Sequence, residues 1–233
     1  LKPEFYALAA GTKSDSDVRM NFPNSHRVNT IYGEISDIDL DNQIVSVGQT
    51  KVDYSELIIG LGCEDKYHNV PGAKEYTHSI QTLSKARETF HSISELPKGA
   101  RVGIVGAGLS GIELASELRE SRTDLEIILY DRGPRILRNF PEKLSNYIAK
   151  WFRENNVNVV PNSLIDKVEQ GTIYNNGTPE PVDIVVWTAG IQPVEIVRKL
   201  PIDTNKSGRV IVNQYHQVPT YKNVYVVGDC AAL

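Results

Sequence analysis

A glycine-rich turn near the middle of the chain constrains its fold more than any other feature. An apolar run from Val102 to Val105 leads directly into Gly106-Ala-Gly108-Leu-Ser-Gly111, and apolar residues at helical spacing follow. A strand, a glycine turn and a helix in this order suit a dinucleotide pyrophosphate, because the helix N-terminus offers free N–H groups and partial positive charge. Gly106 permits the tight turn, Gly108 lets phosphates approach the backbone, and Gly111 lets the helix pack closely on the strand. A turn with a purely structural role is the alternative, and the surrounding sequence favours the nucleotide.

A dinucleotide-binding turn of this kind also needs a carboxylate at the end of the next strand, and the sequence has one. Asp131 ends the next predicted strand, twenty residues beyond Gly111. At that position a carboxylate accepts hydrogen bonds from an adenosine ribose 2′-hydroxyl. Arg132 follows and could accommodate a 2′-phosphate, but Asp131 would repel that phosphate. We therefore expect NADH rather than NADPH.

The composition narrows the class of protein. The chain has 233 residues, 40% hydrophobic and 23% charged, with a net charge of −4, which is typical of a globular protein and gives no reason to expect nucleic acid as a partner. No apolar run is long enough for a membrane helix, and no signal peptide is visible. Cys63 and Cys230 form no C-x-x-C motif, so we expect packing roles for both. The five histidines lack metal-ligand spacing, and no metal site is expected.

The order of predicted elements indicates an α/β fold. Strands are predicted at 28–32, 34–40, 43–47 and 54–60, with a hairpin turn at Asp41-Asn42, and a helix at 83–96 ends at Pro97. Residues 100–190 then alternate strands and helices, as in a parallel sheet with crossover helices. The strands lie at 101–106, 126–131, 157–160, 166–169, 172–175 and 182–188, and the helices at 110–120 and 141–154. Strands at 209–212 and 224–227 follow.

Two further motifs lie after the glycine turn. The buried strand that begins at Val185 runs into Thr188-Ala189-Gly190, where small residues allow a ligand to approach the backbone. The apolar run Val224–Val227 ends in Gly228-Asp229, which places one carboxylate at the edge of a sheet. Asp229 is expected either to recognise a ribityl or ribose hydroxyl or to cap a helix N-terminus.

Together these motifs resemble the two-dinucleotide-binding flavoproteins of the pyridine nucleotide–disulfide oxidoreductase superfamily. Within it, the chain is most similar to the bacterial type II NADH dehydrogenases, which are NADH:quinone oxidoreductase-like. The motifs that carry the resemblance are Tyr54–Gly62, Gly106–Ala115, Asp131–Leu137, Trp187–Pro193 and Val227–Ala231.

The resemblance implies two Rossmann-like domains, with an NAD(P) domain inserted in an incomplete FAD domain. Residues 1–98 and 191–233 would form the FAD-side segments, and residues 99–190 the nicotinamide domain. The implied NADH ligands are Gly106, Gly108, Gly111, Asp131, Ala189 and Gly190. The implied FAD ligands are Ile35, Gly62, Gly228 and Asp229.

Glu113 matches an acid that lies close to the nicotinamide and flavin rings in this branch, and it is the candidate catalytic residue. The alternative is that Glu113 has no catalytic role and only interacts favourably with the helix dipole, as a carboxylate in the first turn of a helix does. The resemblance also implies a glycine motif for the FAD pyrophosphate, ahead of the NADH motif. This sequence contains one such motif, so we expect an internal part of a longer flavoprotein, in which FAD could be absent from this part alone.

The resemblance implies an FAD-dependent NADH dehydrogenase that passes hydride from NADH to flavin and electrons to a quinone-like acceptor. Two alternatives stay open: a flavin- and NADH-binding redox sensor with little turnover, and a disulfide reductase of the same superfamily. The expected location is cytoplasmic, with any contact to the inner face of the membrane made through parts outside this chain, and a homodimer is left open.

Overall fold

A computed structural model describes residues 2–22 and 25–233. Its α-helices are α1 (Phe5–Ala10), α2 (Ala73–Tyr76), α3 (Leu83–Ser94), α4 (Leu109–Ser121), α5 (Glu142–Glu154) and α6 (Glu195–Arg198). The first eight strands are β1 (Ile35–Asp39), β2 (Ile44–Val47), β3 (Thr50–Asp53), β4 (Leu57–Ile59), β5 (Cys63–Asp65), β6 (Arg101–Val105), β7 (Glu126–Tyr130) and β8 (Val157–Val160). The remaining strands are β9 (Ile165–Glu169), β10 (Thr172–Asn175), β11 (Thr178–Pro181), β12 (Ile184–Trp187), β13 (Ile191–Pro193), β14 (Val210–Ile211), β15 (Gln217–Val218), β16 (Tyr221–Val226) and β17 (Ala231–Ala232).

The chain forms two compact units, each made of two segments. Unit 1 consists of residues 1–20 and 65–190, and unit 2 of residues 21–64 and 191–233. The segment 65–190 is thus inserted between the two segments of unit 2. Residues 65–98 belong to the same unit as residues 99–190. The sequence instead predicts a division after residue 98, between an FAD-side segment and a nicotinamide domain, and that assignment of cofactors stays a prediction. In the described part of the chain, no helix is long and apolar enough to cross a bilayer.

Unit 1 is built on a four-stranded parallel sheet in the order β12-β6-β7-β8. The connecting helix α4 buries one stripe, which includes Ile112, Leu114 and Leu118. Helix α5 buries Phe152 in the same core. The predicted helices at 83–96, 110–120 and 141–154 are confirmed within two residues at each end.

The connection from β8 to β12 is not a helix. Strands β9, β10 and β11 form a separate three-stranded antiparallel sheet. Residues 166–169 and 172–175 are therefore in strands, as predicted, but these strands are not part of the parallel sheet. This sheet shares a core with β7 and β12, in which Tyr130 and Trp187 are fully buried. The Tyr130 hydroxyl donates a 2.7 Å hydrogen bond to Glu180 of β11. Apolar side chains of this small sheet, joined by the partly buried Tyr130–Glu180 hydrogen bond, therefore cover this part of the parallel sheet.

Helix α1 packs against α3 and α4, although many residues separate them in sequence. Its residues Ala7–Ala10 are all buried, and small side chains let the helices approach closely. The hydroxyl of Ser121, at the end of α4, donates a 2.8 Å hydrogen bond to the carbonyl oxygen of Ala10. One of the last carbonyls of α1 is thereby satisfied by another helix.

Unit 2 consists of small sheets around its own core. Strands β1, β2 and β3 form an antiparallel meander, and β4 pairs in parallel with β16, which pairs with β15. The predicted hairpin turn is confirmed, because Asn42 donates from its backbone and its side chain to the Asp39 carboxylate. The strand predicted at 28–32 is wrong: these residues form no strand, and Tyr32 is 81% exposed. A strand needs a neighbour for its backbone groups, and β-branched residues alone do not supply one.

Candidate dinucleotide site

The three glycines of the turn differ in how closely other atoms of the protein surround them. Gly106 has φ of +107°, and a Cβ there would lie 2.7 Å from the backbone of Ala189. A Cβ on Gly111 would lie 1.9 Å from the carbonyl oxygen of Gly106. At Gly108, φ is −75° and a Cβ would meet no atom within 4 Å. The fold therefore requires glycine at positions 106 and 111 and leaves open space in front of position 108.

The turn is fixed on the sheet by hydrogen bonds from both neighbouring strands. The Gly106 N–H donates to the Tyr130 carbonyl at the end of β7, at 2.8 Å. On the other side the Thr188 N–H donates to Val105, and its hydroxyl lies 2.9 Å from the carbonyl oxygens of Val105 and Gly106. The loop is thus shaped before any ligand arrives, as preorganised binding requires.

Asp131 lies beside the turn, at the end of β7. One carboxylate oxygen accepts from the Ala107 N–H at 2.7 Å, and the other accepts from the Gly133 N–H at 2.6 Å. A carboxylate has about four lone-pair directions, so each oxygen keeps one for a further donor. The side chain is half-buried and is oriented by the glycine turn that it borders.

Two cavities of about 250 Å³ each flank the turn within unit 1. The first lies over the ends of β6, β7 and β12 and includes His68, Tyr130, Asp131, Arg132, Arg138 and Ser163 in its lining. The second lies over the turn and includes Gly108, Leu137, Asn139, Phe140, Thr188 and Gly190. Gly106, Arg138 and Ala189 line both cavities. Two larger grooves, of about 870 and 700 Å³, are lined by other described residues of unit 1 and by none of the turn's glycines.

Ala189 and Gly190 both line the second cavity, and their contact with NADH stays a prediction. His68 holds this segment, because its Nε2 lies 3.1 Å from the Ala189 carbonyl oxygen. The Gly190 carbonyl accepts from the Lys66 N–H at 2.9 Å, and a Cβ on Gly190 would lie 3.1 Å from His68 Nε2. No sequence signal points to His68, because its contact is with a backbone carbonyl.

Glu113 lies on α4 and lines neither cavity. Burial raises the pKa of this carboxyl, and the nearby Glu117 raises it further. Glu113 also raises the pKa of the Tyr6 phenol, which places the acid towards α1. The structure does not bring Glu113 together with the NADH residues inside unit 1, and its catalytic role stays a prediction.

The predicted FAD residues all belong to unit 2. Gly228 has φ of +73°, and a Cβ there would meet nothing within 4 Å. Asp229 is exposed inside a short 3-10 turn, Gly228–Cys230, and is not the residue that caps it. The Cys63 thiol, next to Gly62, donates to the Asp229 carbonyl at 3.3 Å, so the two motifs meet. Ile35 is the first residue of β1 and is half-buried.

Both cysteines are buried free thiols. The Cys230 thiol lies 3.3 Å from the Val227 carbonyl oxygen, which it can reach as a weak donor. Each thiol thus contacts a backbone carbonyl within residues 227–229, next to the Gly228-Asp229 motif.

The chain is similar to known proteins along its whole length. The chain is 52% identical over 234 residues to the NADH dehydrogenase-like protein YutJ of Bacillus subtilis, covering 100% of this chain and 66% of that protein. It is 22% identical over 256 residues to a type II NADH:quinone oxidoreductase of Staphylococcus saprophyticus, covering 97% and 63%. The chain therefore spans less than two thirds of the length of these relatives.

Solved structures confirm the α/β fold with Rossmann-like dinucleotide-binding architecture. The water-forming NADH oxidase from Lactobacillus brevis, bound to NADH, superimposes with a TM-score of 0.85 at 18% identity, covering 100% of this chain and 54% of that one. NDH2 from Plasmodium falciparum, in complex with NADH, gives 0.83 at 19% identity, covering 99% and 57%. Residues 6–233 match the family described as pyridine nucleotide-disulphide oxidoreductase, and the chain belongs to that family.

Proposed function

We propose that this protein is an NADH-dependent flavin oxidoreductase, which takes hydride from NADH onto FAD and passes electrons to a quinone-like acceptor. The observation that carries the proposal is the open space in front of Gly108, within a turn whose other two glycines are tightly enclosed. The named relatives support the activity and the type of acceptor.

Unit 1 would bind NADH across its two cavities. Helix α4 begins after Gly108 with no side-chain cap, so the backbone N–H groups of its first turn would donate to the pyrophosphate. Asp131 would accept from the adenosine ribose with the lone pairs that Ala107 and Gly133 leave free. Because Ala189 and Gly190 line the second cavity, the nicotinamide end would lie there. Glu113 lies outside the linings of both cavities. Its proposed role is to tune the reaction, or to exchange a proton, near the nicotinamide and flavin rings.

Unit 2 would hold FAD through Ile35, Gly62, Gly228 and Asp229. Their chemistry fits a flavin dinucleotide, because the open left-handed backbone at Gly228 adjoins an exposed carboxylate that can accept from ribityl hydroxyls. A bound flavin supplies two-electron acceptance from a nicotinamide and onward transfer of electrons. The assignment of 99–190 to NADH, and of 1–98 and 191–233 to FAD, is part of this proposal, as is a cytoplasmic location at the inner face of a membrane.

An anaerobic titration of the purified, FAD-reconstituted protein with NADH tests the proposal. We expect NADH to bleach the visible flavin absorbance, and turnover with a soluble quinone to separate an enzyme from a sensor with little turnover. Gly108→Ala places a methyl group where the phosphates would approach, so it should raise the NADH dissociation constant at least about tenfold, the loss of one charge-assisted hydrogen bond. Thermal unfolding of the variant serves as the folding control, because the fold tolerates a Cβ at this position.

Two results would contradict the proposal. One is a protein that neither takes up FAD nor binds NADH. The other is a folded Gly108→Ala variant that binds NADH as tightly as the wild type, because the phosphates would then not approach Gly108 and the observation that carries the proposal would be lost.

A further inference from the structure

The segment that follows Asp131 folds back over the glycine turn. The Leu137 N–H donates a 3.0 Å hydrogen bond to the carbonyl oxygen of Ala107, in the middle of that turn. Leu137 is buried and has φ of +48°, a conformation that is costly for a residue with a side chain. Such strain persists where the surrounding contacts enforce it, and it concentrates at functional sites.

Arg135 enforces this conformation. Its guanidinium donates to three carbonyl oxygens of the same turn: that of Leu137 at 3.2 Å, of Arg138 at 2.9 Å and of Phe140 at 3.1 Å. Carbonyl oxygens satisfy the donors of an arginine but do not neutralise its charge. The 135–140 turn is therefore held by three hydrogen bonds and carries positive charge.

Arg138 projects from this turn at the junction of the two cavities. It is an exposed side chain that lines both of them, and its Cδ passes close to Gly133. No carboxylate among the described residues forms an ion pair with it, whereas most other arginines of unit 1 are bound to acids or carbonyls. The only acid in the two cavity linings is Asp131, whose oxygens already accept from two backbone N–H groups.

We propose that Arg138 binds the pyrophosphate of the dinucleotide from the side opposite the glycine turn, and that Arg135 is the positioning residue that aims it. The inference rests on the proposed function, because a dinucleotide that fills both cavities must place its pyrophosphate where they join. A guanidinium suits this position, since its planar fork can donate two parallel hydrogen bonds to phosphate oxygens. The glycine turn would supply backbone donors from one side and Arg138 a full charge from the other.

Binding of ADP-ribose tests the proposal, because this probe carries both phosphates but neither a nicotinamide nor a 2′-phosphate. We expect Arg138→Gln to raise the ADP-ribose dissociation constant roughly ten- to a hundredfold, the usual effect of losing a charged hydrogen bond. The salt dependence of binding should also become shallower, and Arg138→Lys should restore part of the affinity. Arg153→Gln is the matched control, since it removes one positive charge from an exposed residue of α5 that lines neither cavity.

Arg135→Gln tests the positioning role. It should weaken ADP-ribose binding and flatten its salt dependence, and the double variant with Arg138→Gln should lose less than the sum of the two single effects. A purely structural Arg135 would lower the unfolding temperature and leave the salt dependence unchanged.

The outcomes separate the inference from the proposed function. A wild-type protein that binds neither ADP-ribose nor NADH refutes the proposed function. A wild-type protein that binds ADP-ribose, with Arg138→Gln equal to it, refutes the inference alone. An Arg138→Gln variant that loses affinity for NADPH but keeps it for ADP-ribose also refutes the inference, because the arginine would then serve a 2′-phosphate.

Discussion

Arg122 joins the ends of two helices in unit 1, and its removal gives a sharp test of what holds that unit together. Its guanidinium donates to the carbonyl oxygens of Ile93 and Leu96, at 2.8 and 2.9 Å, in the last turn of α3 and just beyond it. The same group forms two 2.9 Å hydrogen bonds with the Asp124 carboxylate. The Arg122 side chain is 22% exposed, so water replaces these partners poorly.

We expect Arg122→Met to keep most of the apolar packing of the stem and to lose all of its polar contacts. The two bonds to helix carbonyls come from a charged donor, which contributes about 1.5–3 kcal/mol per bond in favourable cases. Partial exposure reduces that value, so the pair should contribute about 2–3 kcal/mol to the free energy of unfolding. At about 2–4 °C per kcal/mol for a chain of this size, the midpoint of thermal unfolding should fall by about 4–12 °C.

The measurement is thermal unfolding followed by circular dichroism, with Arg101→Met as the matched control. Arg101 forms a 2.6 Å ion pair with Glu126, but the two side chains are 45% and 59% exposed. Exposed ion pairs contribute little, so the control should lower the midpoint much less. If Arg101→Met lowers the midpoint as much as Arg122→Met, the argument that burial and carbonyl bonding set the value of an arginine here is wrong.

Three further predictions concern the same unit. Gly111→Ala should cost about 1–3 kcal/mol or more, because its Cβ would lie 1.9 Å from the Gly106 carbonyl oxygen, and an unchanged unfolding midpoint would contradict this. Burial and Glu117 raise the pKa of Glu113, so its stabilising contribution is lost as pH rises above 4.5, and Glu113→Gln should raise stability at neutral pH in denaturant titrations. Burial lowers the pKa of His78, so stability should fall as pH falls below 6.5, and His78→Asn should flatten that fall in the same titrations at stepped pH.

The glycine turn could be predicted because each of its structural requirements can be met by only one kind of residue. A left-handed φ at Gly106, a close contact at Gly111 and a carboxylate at the end of the next strand each demand one particular kind of residue. The helix at 83–96 was predicted for a similar reason, because apolar spacing and the break at Pro97 are local signals. The structure adds an N-terminal cap, in which the Thr82 hydroxyl accepts from the Lys85 N–H.

The antiparallel connection and the 135–140 turn could not be predicted in the same way. The pairing of β9 with β10 and β11 depends on which segments meet, and the sequence pattern indicates strands without their neighbours. Arg135 acts on backbone carbonyls, which every residue has, so no sequence motif identifies its partners. The role of His68 could not be predicted for the same reason, because its partner is the backbone carbonyl of Ala189.

The docking of α1 has a consequence for the order in which the protein folds. A ribosome releases Phe5–Ala10 early, yet the surfaces that bury it, on α3 and α4, are synthesised only after the whole segment 21–64 of the other unit. So short an isolated helix is not stable in water, and closing the intervening loop adds an entropic cost. We therefore expect α1 to form late, so that hydrogen exchange during refolding would find its amides protected only after those of α4. Helix α1 is thus expected to dock only once the rest of unit 1 has assembled.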